Sequence, residues 1–184
     1  MRQDLRPKLF TAISIALISA GITPAVNAEV NDLDVNNPNG TTITNSATGN
    51  AVDLDNGGSF TVINNGTISA SAAYYAYGVN ADNSTAITTL SNSGTITGTA
   101  SNSFGYGIVF GTSTLTNLTN SGTISGTAAN DLARGIALHA GGTITNLTNS
   151  GTISGTATDL LGYGVLVSGG STLTNLTNSG TISG

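Results

Sequence analysis

The stretch Leu115-Thr116-Asn117-Leu118-Thr119-Asn120-Ser121-Gly122-Thr123-Ile124-Ser125-Gly126 decides the reading of this chain, because most of it recurs. Asn120-Ser121-Gly122-Thr123-Ile124 has near-copies at Asn92 to Ile96, Asn149 to Ile153 and Asn178 to Ile182. A looser copy, Asn64-Asn65-Gly66-Thr67-Ile68, precedes them. The phrase glycines fall at 66, 94, 122, 151 and 180, so the period is 28 or 29 residues. A fixed period of this size predicts a stacked solenoid, which grows along one axis and presents a long surface.

Working outward, each period holds three recurring blocks. Leu115 to Asn120 is matched by Ile144 to Asn149 and by Leu173 to Asn178. Gly122 to Gly126 is the second block. The third is Tyr106-Gly107-Ile108-Val109-Phe110, matched by residues 134–138, 163–167 and 77–81, with an early version at 50–54. In this third block the alternate positions 108/110, 136/138, 165/167, 79/81 and 52/54 are all apolar, while Asn80 and Asp53 stand among the residues between them. A period of two belongs to a strand with one buried face. The β-branched residues suit it, and the many glycines and threonines disfavour long helices.

Leu115 and Leu118 are three apart, so the chain is expected to bend between them, with Asn117, Asn146 and Asn175 at the corner. Asparagine tolerates left-handed backbone and bonds locally. Stacked on one another, such asparagines can form a ladder. Three short strands per 28–29-residue coil make an all-β, right-handed parallel β-helix, the usual hand for parallel crossovers. Five to six coils give a rod about 25 Å tall.

The ends carry further signals. Arg2, Arg6 and Lys8 precede an apolar run from Leu9 to Ile22, and Val26-Asn27-Ala28 offers small residues for cleavage, so residues 1–28 read as a signal peptide. The rival is a membrane-spanning helix, which needs about 20 apolar residues; this run is shorter and is interrupted by Thr11, Ser14 and Ser19. Residues 29–40 read as a cap or linker and 41–184 as the repeats. The last residues stop in mid-repeat, so the chain is expected to continue into further coils or a cap.

Without the first 28 residues Arg134 is the single cation against eight acids, a net charge near −7. Nucleic acid needs clustered cations and is excluded as a partner, and docking on anionic lipid is disfavoured for the same reason. Cysteine is absent, so stability must come without disulfides. Disorder, the other reading of a Gly/Ser/Thr/Asn-rich chain, is opposed by the regular Ile, Leu and Val positions.

Candidate chemistry is sparse. His139 is the only histidine and reads as outward and solvated; a nucleophilic triad needs a matched serine and acid that nothing marks. Asp53 and Asp55 could share an outward face as a glycosidase pair, but their neighbours Asn56-Gly57 signal a solvated turn. Asp32 and Asp34 lack the spacing of a calcium loop. Asn-x-Thr sites such as Asn117-Leu118-Thr119 accept glycans only in some export routes. No catalytic residue, metal or cofactor is assigned. One segment per repeat varies (71–77, 100–106, 128–134 and 157–163) and is expected to form loops along one side. That side, with Tyr74, Tyr75, Phe104, Asp131, Arg134 and Asp159, is the candidate interaction surface.

A signal peptide followed by Thr-Asn-Ser-Gly-Thr-Ile-Ser-Gly copies, with Tyr-Gly-Ile/Val segments between them, resembles the passenger region of bacterial autotransporters over residues 41 to 184. The resemblance implies a β-helix exported to the cell surface or outer membrane of a Gram-negative bacterium, anchored by a C-terminal β-barrel. It implies a stalk or an adhesin for a host-cell or extracellular glycan or protein. The chain departs from that pattern in showing no series of roughly ten-residue membrane strands. Two other classes stay open. Thr95, Thr123, Thr152 and Thr181 form a column that suggests an ice-binding β-helix, although paired outward ranks are not evident. A polysaccharide-active β-helix enzyme is the third.

Overall fold

The computed structural model describes residues 25–27, 30–31, 35–37, 42–45, 49–55 and 57–184; side chains are described at Val35, 49–55 and 57–184. The signal-peptide stretch up to residue 24, Asp32 and Asp34 lie outside the described residues.

The chain is a parallel β-solenoid with three strands per coil. Sheet 1 stacks β1 (Ala25–Asn27), β4 (Thr42–Asn45), β7 (Thr67–Ala72), β10 (Thr95–Ala100), β13 (Thr123–Ala128), β16 (Thr152–Ala157) and β19 (Thr181–Ser183). Sheet 2 stacks β2 (Val30–Asn31), β5 (Asn50–Leu54), β8 (Tyr75–Ala81), β11 (Phe104–Phe110), β14 (Ala133–Leu138) and β17 (Gly162–Val167). Sheet 3 stacks β3 (Val35–Asn37), β6 (Ser59–Asn64), β9 (Ala86–Asn92), β12 (Thr114–Asn120), β15 (Thr143–Asn149) and β18 (Thr172–Asn178). The three recurring blocks therefore become the three sheets. Pairing already runs through β1, β2 and β3, one coil earlier than the expected start at residue 41. Cleavage after Ala28 would remove β1 from that coil.

Register follows the repeat. Ile68, Ile96, Ile124 and Ile153 are successive partners in sheet 1, and Leu90, Leu118, Leu147 and Leu176 in sheet 3. These columns, with Val52, Leu54, Val79, Ile108, Phe110, Ile136 and Leu138 from sheet 2, form one buried core. Burial comes from stacking. Leu118 and Leu147 are each 1% exposed between two coils, whereas Leu176, in the last coil, is 51% exposed. Burying a side chain of this size is worth about 1.5–3 kcal/mol, so each coil depends on its neighbours.

The expected bend in sheet 3 is present, in a different place. Leu115 and Leu118 are both buried in one continuous strand, with Thr116 and Asn117 exposed between them. Pairing passes from Leu115–Ile144 to Asn117–Asn146. Each stacked strand makes the same kink, so register resumes without loss, and Asn117 sits inside the strand. The true corner between sheets 3 and 1 is Asn120-Ser121-Gly122. There the coils approach so closely that a Cβ on Gly122 would lie 2.0 Å from the Gly94 carbonyl oxygen. Since that neighbour is backbone, nothing can yield, and the corner requires glycine.

Candidate functional surfaces

The outer face of sheet 2 carries a ladder of rings. Tyr75 pairs with Phe104 and Tyr77 with Tyr106; the alternation breaks at Gly78 and Gly107, so these four rings lie outside while Val79, Ala81, Ile108 and Phe110 lie in the core. Their rings stack along the rod, with centroids 5.4 Å apart for Tyr75–Phe104 and 5.3 Å for Tyr77–Tyr106. Arg134, one coil further, lays its guanidinium 4.7 Å from the Tyr106 ring centroid and donates to the Tyr106 hydroxyl. Its Nε is buried without a hydrogen-bond partner, as suits a cation held against a ring. The ladder covers Val109 and Ala137, so these outward positions are 2% and 1% exposed. The alternation read from the third block is thus masked by its own aromatic neighbours.

Burial raises the Tyr77 phenol to about 12, with Tyr106 and Tyr75 adding to the rise and Arg134 opposing it. Burial also raises Tyr106, which Arg134 partly offsets. Both phenols therefore stay neutral at physiological pH and pack as rings.

Of the six candidate surface residues, Tyr75, Phe104 and Arg134 belong to strands β8, β11 and β14, on one face; only Tyr74, Asp131 and Asp159 lie in turns. The variable segments are therefore loops only in their middle, since strand pairing takes over their ends. Tyr75 and Phe104 are in contact, and Arg134 joins them through Tyr106. Asp131 accepts from the Leu132 backbone N–H at 2.9 Å and from the Ser103 hydroxyl at 3.4 Å. Asp159 is exposed in the corresponding turn. Sequence reasoning missed Leu160 and Leu161, which are 55% and 52% exposed there. With Tyr74 and Tyr75, at 63% and 53%, they place exposed apolar side chains along the sheet 1 to sheet 2 edge.

The acids examined for chemistry are engaged structurally. Asp53 lies within β5 and accepts from the side-chain amides of Asn50 and Asn80, each at 2.8 Å. Asp55 follows that strand. Asp82, which the sequence did not single out, caps a corner. Its carboxylate accepts from the Asn83 N–H at 2.8 Å and from the N–H and hydroxyl of Thr112, each at 3.2 Å. Partial burial alone would raise this carboxyl; those hydrogen bonds and nearby His139 outweigh it, holding Asp82 below the ordinary carboxylate range. His139 is half-buried at the end of β14, less open to solvent than expected. Among the described residues no three His, Cys, Asp or Glu side chains gather as a metal site would require.

Two asparagine ladders run along the axis, one over three coils and one over five. On the outer face of sheet 3, Asn146 donates to Asn117 and Asn175 to Asn146, each at 2.9 Å, as the stacking of the repeats predicts. The second is buried. Asn64, Asn92, Asn120 and Asn149 each donate at 2.7 Å to the asparagine of the next coil. Each amide nitrogen also reaches a threonine carbonyl of the next coil, at 3.0–3.1 Å. The signal was present as the first residue of the repeated phrase, but nothing in the phrase says which asparagine turns inward.

Threonine ranks are also better developed than the sequence suggests. In β10, Thr95, Thr97 and Thr99 all point outward, and the phrase column at Thr95, Thr123 and Thr152 is only half-exposed. The more open ranks lie on sheet 3, where Thr114, Thr116 and Thr119 are exposed in one strand. Comparison with protein-family models, with curated proteins and with solved structures finds no match to this chain.

Proposed function

We propose that this chain is the rigid, surface-displayed shaft of an exported bacterial protein, of the autotransporter-passenger kind, acting as a stalk without catalysis. The observation that carries the reading is the direction of its side-chain bonds. The buried asparagine ladder, the exposed one and the aromatic ladder all run from coil to coil along the axis. Groups that could do chemistry, Asp53, Asp82 and Arg134, are spent on neighbouring coils. Such a rod resists bending and transmits position, which is what a spacer needs. Export is supported by Arg2, Arg6 and Lys8 ahead of an apolar run.

The test is protease treatment of intact Gram-negative cells expressing the natural gene, with and without the codons for residues 1–28. External protease should digest the intact product and spare the deleted one. Equal protection of both, or surface exposure of the deleted form, overturns the reading. An adhesive role is the second reading, and Tyr74 and Tyr75, exposed beside Phe104 on the sheet 1 to sheet 2 edge, favour it, because exposed apolar groups mark interaction sites. Replacing Tyr74 and Tyr75 by Ser should then abolish cell attachment; attachment that persists leaves the stalk alone standing.

A further inference from the structure

Sheets 1 and 3 both carry neutral hydroxyl ranks on their outer faces, and that of sheet 3 is the more open, since the Thr95, Thr123 and Thr152 rank of sheet 1 is only half-exposed. In β12, β15 and β18 the outward positions of sheet 3 are threonine or asparagine, with no charge and no ring. Thr119, Thr148 and Thr177 are register partners, and Thr116, Thr145 and Thr174 stack beside them. All six are exposed. The protein itself uses none of these six hydroxyls, whereas its asparagines bond to one another and its inner residues are packed. The face is therefore a set of parallel ranks, each repeating a methyl and a free hydroxyl in each of these three coils. It extends about 23 Å along the seven-residue strands and about 10 Å across β12, β15 and β18.

We propose that this face binds the ordered oxygen lattice of ice. Hydroxyls on successive coils repeat at about 4.8 Å. In tetrahedrally bonded water with hydrogen bonds of about 2.75 Å, second-neighbour oxygens lie about 4.5 Å apart. The mismatch of about 0.3 Å per coil grows to about 0.6 Å over three strands, less than half a lattice period, so the ranks stay in step across the face. β-branched threonine holds one or two χ1 wells, which keeps the hydroxyls aligned before contact and lowers the ordering entropy lost on binding. A neutral polysaccharide is the rival occupant. It would be met by flat aromatic faces, but the stacked rings lie on sheet 2 with their faces turned to one another, and Phe60 of sheet 3 packs against the core. The lattice that fits the observed surface is one of hydroxyl-sized units without rings.

The experiment measures thermal hysteresis and ice-crystal shaping by the purified chain. Thr145→Lys and Thr145→Val are compared with Thr127→Lys, which alters the exposed outer rank of sheet 1. Circular dichroism on each variant checks the fold. The chain should shape ice. Because weak contacts act together across the lattice, either change at Thr145 should reduce the hysteresis by about tenfold, with Thr127→Lys leaving it unchanged. Absence of hysteresis in the folded chain, equal loss from Thr127→Lys, or retention on an insoluble neutral glucan without hysteresis each overturns the proposal. Thr145→Val keeps the methyl and the strand preference, so a folding failure of the lysine variant does not spoil the comparison.

Discussion

Asn120 and Asn146 make the same chemical bond in opposite settings, which lets burial be weighed by itself. Asn120 is fully buried; it accepts from Asn92 and donates to Asn149, both at 2.7 Å. Removing it takes the donor from the buried Asn149 side-chain oxygen and one acceptor from the Asn92 amide, which keeps the Thr123 carbonyl at 3.0 Å; an unsatisfied buried group costs about 1–3 kcal/mol, on top of the ladder bonds lost. Asn120→Ala should therefore lose about 2–4 kcal/mol of stability. Asn146→Ala, whose ladder partners are open to water, should lose less than about 1 kcal/mol. Urea midpoints of the two variants decide it, and equal midpoints would remove the buried ladder from the account. Tyr77 gives a second prediction at this scale. Burial carries its phenol from 10.0 to about 12. A folded-state value raised above the unfolded one contributes stability that is complete below pH 10 and lost as pH rises through 12. Tyrosinate absorbance should still be climbing near pH 12 in the folded chain, and Tyr77→Phe should remove that late step. A titration finished well below that range would contradict the packed ring ladder.

At the scale of the element, the corner matters more than the strand. Gly94, Gly122, Gly151 and Gly180 sit so close to the preceding corner that a Cβ on any of them would lie 2.0–2.1 Å from a backbone oxygen. Gly122→Ala therefore forces two coils apart, breaking the Thr123 N–H to Gly94 carbonyl bond of 2.8 Å with it. Ile124→Val, one step into the strand, removes a single methylene from a fully buried position and should cost only about 0.5–1.5 kcal/mol. Gly122→Ala should lower the thermal midpoint by several times as much; a smaller drop than that from Ile124→Val would mean the corner relaxes. The sequence made the elements legible because Ile124, Leu118 and Ile108 recur at fixed offsets, and a 28- or 29-residue step leaves little choice but stacking. It misplaced Asn117, since a three-residue spacing of leucines is compatible with either a corner or a kink inside a strand. It also set Tyr75 and Arg134 in loops, because variable composition there hid a pairing made by backbone alone. Asp82 and Leu161 carried no periodic mark, so their roles emerged only once the coils were stacked.

For the whole molecule, one-dimensional order makes a prediction that no closed globule would share. Each coil contacts its neighbours alone, so stability is a sum of coil and interface terms. Deleting residues 121–149 joins Asn120 to Ser150 at the same point of the phrase. β12 would then stack on β18, setting Leu115 on Leu173, Leu118 on Leu176 and Asn120 on Asn178. β10 would meet β16 with Ile96 on Ile153 and Gly98 on Gly155, and β11 would meet β17 with Ile108 on Val165. Every buried column closes again, and Tyr106 gains Tyr163 in place of the departed Arg134. The shortened chain should keep its β-type circular dichroism and cooperative melting, with a lower midpoint because one interface is gone. Deleting residues 121–134 instead removes half a coil. That shift sets residues 135–138, the remainder of β14, over the start of β10 and the turn around residues 158–161 over β12, so apolar columns face turns and the asparagine ladder is cut. This variant should aggregate or remain unfolded. Equal tolerance of the two deletions would mean that stacking by identity does not hold the rod together, and equal failure would mean that its coils form one indivisible core.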